Sequence, residues 1–457
     1  MRSVVTRVNY TFANKYVIEG TIRADGSSRF DPDHRWGWFP GVNAARRVGE
    51  EGFMKRLGWF EDLKVRASYG EMGNQSGIGL YDYIQLISLS NDYYPFGTGV
   101  KGQMATSGNI ISTSRTWETI QTTNVGFDFS TLNNRLYGSF DYFWKENKNM
   151  LIPKTYPSML GADAPSTNSG HLSIHGWEIS LGWRDQIKDF SYSVRFNISD
   201  AKNKVVDRVG SNLIQLGNNE TPTGYPLNSY FGYEFDGIIQ NEQELEAYKS
   251  RFSEGGIPGD LSVGDAMYKD LDGDGKLSVL GDGKEGSGDV KYLGDKNPRY
   301  NFGFNLSMAW KGFDLSAFIQ GVGRRTMFLE GESRCPMPEA WYQSAEYWYG
   351  KTWTPERTDA QYPAITLKDK RNYNYYVSTN TKFNVAYARL KNLQFGYTIP
   401  QTLTSKAGLQ KVRVYFSGED LFEVHNTPNG WDPEENSGSI TSYPFTRNYS
   451  FGINVVF

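Results

Sequence analysis

A chain of 457 residues with a formal net charge of −3 and one cysteine, Cys335, has the length of several soluble domains or of one large barrel. The charge gives no basic footprint for nucleic acid, and the lone cysteine excludes a disulfide framework or a cysteine-rich zinc site. Aromatic residues make up 15% of the chain while mean hydropathy is −0.57, and no apolar run approaches the ~20 residues of a spanning helix.

Period-two alternation reconciles those figures, because a strand exposes only every second residue to an apolar medium. It predicts thirteen strands, near 4–12, 16–25, 38–48, 60–70, 120–131, 135–147, 171–184, 189–200, 298–310, 312–321, 384–399, 411–422 and 447–457. "TTNVGFDFS" sets Thr123, Val125, Phe127 and Phe129 against Asn124, Gly126 and Asp128. "FSYSVRFNIS" sets Phe190, Tyr192, Val194, Phe196 and Ile198 against Ser191, Ser193, Arg195 and Asn197. The closing "YSFGINVVF" puts Tyr449, Phe451, Ile453, Val455 and Phe457 on one face and Ser450, Gly452 and Asn454 on the other. In a soluble sandwich the second face meets bulk water and carries Lys, Glu and Thr. Here it carries Gly, Asn and Ser, the residues of a wet lumen, while the first face suits lipid.

Links between these strands alternate. Those at 13–15, 132–134, 185–188 and 311 are tight, and those at 49–59 and 400–410 are moderate. Between them fall long ones at 26–37, 71–119, 148–170, 201–297, 322–383 and 423–446. Short periplasmic turns and long extracellular loops give an outer-membrane barrel this asymmetry. On that reading the first and last strands run the same way and cannot pair, so the thirteen form part of a larger barrel. The opening "MRSVVTRVNYTF" has no apolar signal region, so signal, plug and early strands are expected upstream.

Several motifs carry a family resemblance. They are "IRADGSSRFDPDHRWGWFPGVNAARRV" (22–48), "LKVRASYGEMGNQ" (63–75), "WETIQTTNVGFDFSTLNNRLYGSFDYFWK" (117–145), "SYFGYEFDGIIQNEQEL" (229–245), "NPRYNFGFNLSMAWKGFDLSAFIQG" (297–321) and "ARLKNLQFGYTIP" (388–400). In this order they resemble the C-terminal barrel half of the SusC/RagA-like TonB-linked outer-membrane proteins. The resemblance implies an all-β, antiparallel transmembrane barrel of about 22 strands around a plug, of which this chain would supply about thirteen. It further implies outer-membrane lipid around the barrel, a SusD-like lipoprotein as lid, energy from TonB, and import of oligosaccharides or peptides. It implies no enzyme.

"DLDGDGKLS" places Asp270, Asp272 and Asp274 at positions 1, 3 and 5 of an EF-hand-like loop, with Gly275 at the sharp turn and the Lys276 carbonyl at position 7. Position 12, usually a bidentate Glu, is Gly281, and Asp282 is the expected substitute. The expectation is a structural Ca²⁺ at 270–282 that stiffens the 201–297 loop, and the resemblance also implies a metal-bound loop here. His171 and His175 lie four apart in a strand-like run, a spacing that does not converge on one ion. "EAWYQSAEYWYGKTWTP" (339–355) reads as a short aromatic helix in the 322–383 loop, with Trp341, Tyr342, Tyr347 and Trp348 as candidates to stack on sugar or meet the lid. Glu178 with Asp128 or Asp141 could mimic a glycosidase pair, but nothing in the pattern fixes their separation. Two other readings stay open: a passive porin-like or adhesin barrel, and a soluble calcium-stabilised glycan-binding β protein.

Overall fold

The computed structural model describes residues 1–96, 100–108, 110–153, 159, 165–208, 216–217, 221–280, 288–338, 343–366, 369–435, 438, 443 and 445–457. Thirteen strands join in chain order into one antiparallel sheet. They are β1 (Arg2–Phe12), β2 (Tyr16–Gly26), β3 (Trp36–Arg47), β4 (Asp62–Asn74), β5 (Glu118–Thr131), β6 (Leu136–Pro153) and β7 (Ser166–Ile187). β8 (Phe190–Asp207), β9 (Arg299–Trp310), β10 (Phe313–Arg324), β11 (Tyr387–Thr398), β12 (Lys411–His425) and β13 (Asn448–Val456) complete the order. β1 and β13 stand at its two ends.

The tight links are turns whose residues accept positive φ. Ala13 and Asn14 join β1 to β2 at 52° and 55°, and Lys311 and Gly312 join β9 to β10 at 46° and 88°. Such turns match the right-handed twist of a hairpin. The moderate links carry short helices, Gly52–Leu57 and Gln401–Thr404.

Several strands run further on their loop side than alternation predicts, three of them by five residues or more. β7 starts at Ser166 rather than 171, β6 continues to Pro153 rather than 147, and β8 continues to Asp207 rather than 200. These extensions lose the regular alternation while the hydrogen-bond ladder goes on, and in β6 Leu151 packs against a loop core instead.

By mutual contacts the chain falls into two compact units. One is Met1–Leu132 with Ser139–Trp177 and Lys202–Ser211; the other is Asn133–Gly138 with Glu178–Ala201 and Asn212–Phe457. In both, many large apolar residues of the strands stand open rather than buried. Val65, Val125 and Phe127 in the first unit, and Trp310, Phe395, Phe422, Val424 and Phe451 in the second, are exposed, Phe451 at 82%. No second sheet covers them among the described residues, where the remaining sheets are two-stranded. The two larger buried cores lie in the loops, and a third joins loop residues to Phe39 of β3. In the second unit Tyr233, Ile239, Leu245, Tyr248, Tyr268, Leu277 and Tyr373 form one, and Met327, Tyr347, Trp348, Tyr362, Tyr375 and Trp431 another. In the first, Phe30, Phe39, Ile78 and Trp117 form a third.

The first of these cores is built around helix Glu242–Arg251. Asn241 caps it by accepting from the Glu244 amide at 2.9 Å, and Glu244 reaches back to the Gln240 amide at 2.9 Å. Leu245 and Tyr248 are its buried residues. Buried phenols there find partners, as buried tyrosines require: Tyr248 meets the Tyr373 hydroxyl at 2.7 Å and accepts from the Tyr268 amide at 2.9 Å.

Candidate functional site

The polar face of the strands is cross-linked by charge. Arg66 donates to Asp141 at 2.5 Å and to Asp128 at 3.2 Å, and Lys64 reaches Asp128 at 3.2 Å. Further along, Arg413 donates to Asp314 at 2.9 Å, and Arg299 pairs with Asp200. Asp128 and Asp141 are therefore held on an arginine, which leaves neither as the free acid of a glycosidase pair. His171 contacts Glu146 at 2.6 Å, with Ser173 donating to the same carboxylate at 2.7 Å; His175 is exposed.

Glycines on this face make room for rings from the next strand. A Cβ on Gly182 would stand 2.3 Å from Tyr137, and one on Gly452 would stand 2.4 Å from Tyr415. Small residues on the lumenal side therefore have a packing reason as well as a polar one.

The acidic loop folds back on its own amides. Asp270 accepts from the amides of Gly273 at 2.7 Å and Gly275 at 3.0 Å, and Asp274 accepts from the Lys276 amide at 2.7 Å. Gly273 and Gly275 take φ of 76° and 77°, which glycine tolerates without strain. The carboxylates that converge are Asp270, Asp272 and Asp289, each with an oxygen within 4.8 Å of the others. Asp274 is turned to Lys276, and Asp282 lies outside the described residues.

Counting along the loop missed Asp289. A Gly-rich stretch separates it from Leu277, and it stands just before strand Val290–Asp295. Its readable signal is an acid at the entry to a half-buried strand. Asp289 is fully buried and accepts from the amides of Leu271 at 2.6 Å and Ser278 at 2.8 Å. Burial pushes its carboxyl up, and the charges of Asp272 and Asp270 add to the rise. Two oxygens bound to one Ca²⁺ at about 2.4 Å lie at most about 4.8 Å apart, so this donor set fits the ion.

In the aromatic segment, Trp341 and Tyr342 lie outside the described residues. Tyr347 and Trp348 do not offer open faces. They occupy a single 3-10 turn, Glu346–Trp348, and are buried to 9% and 3% exposure. Tyr347 donates to or accepts from the Tyr362 hydroxyl at 2.6 Å. The ring left in the open is the next one, Tyr349, at 89%.

Along its whole length the chain aligns with TonB-dependent receptors. It is 32% identical over 484 residues to one from Formosa agariphila, covering 100% of this chain and 45% of that protein. To the TonB-dependent receptor SusC of Bacteroides thetaiotaomicron it is 26% identical over 479 residues, covering 99% of this chain and 43% of that protein. It thus spans about half the length of the curated relatives it matches, and corresponds to their C-terminal half. No protein-family model matches it. Among solved structures, the RagAB peptide transporter superposes with a TM-score of 0.79 at 23% identity, over 99% of this chain and 47% of that one. These relatives are receptors and transporters, not enzymes.

Proposed function

This chain belongs to the SusC/RagA-like TonB-linked outer-membrane proteins, as the C-terminal part of their β-barrel, and from that premise we propose that it is one wall of an importer of oligosaccharides or peptides. The observation that carries the reading is the inverted burial. Strand Phe, Val and Trp side chains lie open, and the compact cores lie in the loops between strands. Hydrocarbon is the medium in which that arrangement is stable, because exposing so much apolar surface to water costs about 25 cal/mol per Å².

In this mechanism the unpaired edges of β1 and β13 accept strands of the remaining wall. Substrate is held on the charged and amide-lined inner face beneath a SusD-like lipoprotein, and a plug drawn from the periplasm through TonB releases it. Arg66, Asp128, Asp141, Arg413 and Asp314 keep that face wet and rigid, and none of them needs to react. The test is uptake by cells carrying the complete receptor. An importer of this class loses uptake of its oligosaccharide or peptide when the protonmotive force is collapsed. Uptake that persists under an uncoupler identifies a passive barrel and sinks the proposal.

Under the same reading the 201–297 loop holds a structural Ca²⁺ through the carboxylates of Asp270, Asp272 and Asp289 and the Lys276 carbonyl. The cation would offset three convergent negative charges that no cation pairs with among the described residues. Bound Ca²⁺ at a hundredfold excess over its Kd stabilises by about 2.7 kcal/mol. Thermal unfolding of the loop region should therefore shift upward with CaCl₂ against EGTA in the wild type and stay put in Asp289→Asn. Equal shifts in both proteins would remove Asp289 from the site.

A further inference from the structure

We propose that segment 345–351 and the turn 427–431 form a subsite for an acidic sugar, with Tyr349 as the stacking platform and Lys351 as the counter-charge. The proposal rests on the importer reading and names part of its substrate.

A cavity of about 310 Å³ lies between these two segments, at the small end of ligand sites. Its floor is fixed. Tyr347 and Trp431 are buried there edge to face, with ring centroids 5.9 Å apart, and the Trp431 indole N–H donates to the Gly438 carbonyl at 3.1 Å. Tyr349 rises from the rim almost fully open. The Lys351 ammonium sits 3.5 Å from the centroid of the Tyr347 ring and pairs with no carboxylate among the described residues. Partial desolvation lowers its pKa, because the ammonium lacks part of its water there, and a ligand anion beside it would offset that loss. Exposed Glu346 and Asn429 add an acceptor and an amide on either side.

An open ring face beside planar polar groups suits a pyranose, whose C–H face stacks while its hydroxyls are bonded at the edge. The unpaired ammonium selects a sugar that carries a carboxylate or sulfate. The walls are side chains and a turn, not the strand edge to which an extended peptide would add.

The wall supplied by Asn429 and Trp431 is held by a charge clamp set up in the sheet. Strand pairing skips Lys391, since Phe318 and Ile319 face Asn392 and Leu390. On the other side Leu390 and Asn392 face Phe422 and Glu419. Arg389 and Lys391, two residues apart in the strand, lie on the same side, and both reach Glu434. Arg389, only 1% exposed, donates to Asp432 at 2.7 Å, and Lys391 donates to Glu434 at 3.0 Å. Arg325 donates to the carbonyls of Pro433 at 2.7 Å and Glu435 at 2.8 Å. The residues following the turn are thereby pinned to β11 and to Arg325, the residue just past β10.

The experiment is titration calorimetry of the complete receptor in detergent with trigalacturonic and triguluronic acid, uncharged maltotriose, and trialanine. At least one acidic trisaccharide should bind more tightly than maltotriose. Lys351→Met and Tyr349→Ala should each weaken it roughly tenfold, the scale of one lost charge-assisted contact. Lys351→Arg should retain binding. Tyr443→Ala, a ring exposed to 90% outside the cavity, should leave it unchanged, and intact heat-modifiable mobility should verify that each variant is folded. No binding of either acid by the wild type overturns the subsite, as does equal binding by Lys351→Met and Tyr349→Ala. Trialanine binding that depends on Lys351, without acid-sugar binding, overturns the sugar assignment. Energised uptake unchanged in both variants removes the subsite and leaves the importer. Binding through these residues without energised uptake removes the importer and leaves the subsite.

Discussion

Arg389 meets three acids among the described residues of the second unit. Besides Asp432, its guanidinium lies 3.3 Å from Glu434 and 3.5 Å from Glu423, and its centre stands 4.1 Å over the Phe445 ring. Removing a buried cation strands the acids around it, at a cost of roughly 3–5 kcal/mol. Arg389→Met should therefore make the 426–447 loop sensitive to a protease that does not cut the wild type, while the strands keep their heat-modifiable mobility. A surface counterpart behaves differently. Glu234 is paired with Lys269 at 2.8 Å and with Lys291, and these hydrogen bonds hold its carboxyl down to about 2. A carboxyl lowered on folding contributes stability that is present above its ordinary value of about 4.3 and lost as pH falls toward 2. Glu234→Gln should remove that part of the acid sensitivity of the 201–297 loop, read by protease cleavage between about pH 4.5 and 2, and should change nothing at pH 7 beyond the small worth of an exposed pair.

At the scale of elements, the bulge at Lys391 and the loop that carries Asp270 depend on backbone geometry that composition does not advertise. Gly256, at φ 84°, lies where a Cβ would stand 2.1 Å from the Leu277 carbonyl oxygen. The neighbouring Gly255 carbonyl accepts from the Leu277 amide at 3.1 Å. Gly256→Ala should destabilise this region by at least about 1–2 kcal/mol, because both the φ and the clash oppose it, and should weaken Ca²⁺ binding with it. Wild-type calcium titrations in that variant would show the loop and the acids to be independent. The helix Glu242–Arg251, by contrast, has a local signal: "QNEQEL" carries its cap at Asn241 and the reciprocal acid at Glu244.

For the molecule as a whole, the lipid assignment makes a sided prediction. Val125 is exposed on the bulky face of β5, while Asn124 is on the face of the Arg66–Asp128 cluster. Arginine at Val125 should cost roughly 2–4 kcal/mol in bilayer folding titrations of the complete receptor, and arginine at Asn124 far less. Equal costs would mean that the two faces do not meet different media.

Alternation alone placed the thirteen strands, short of their loop-side ends, together with the short and long links and the two faces of each strand, because a period of two is local and repeats along every strand. Asp270 and Asp272 were legible for the same reason: the spacing of a turn is written in consecutive residues. The partner acid Asp289, the burial of Tyr347 and Trp348 beside an open Tyr349, and the meeting of Arg389 with Asp432 were decided by tertiary structure. Each depends on how far an insertion loops out or on which residues of distant loops share a core, and such distances are set by packing between segments that no local pattern encodes.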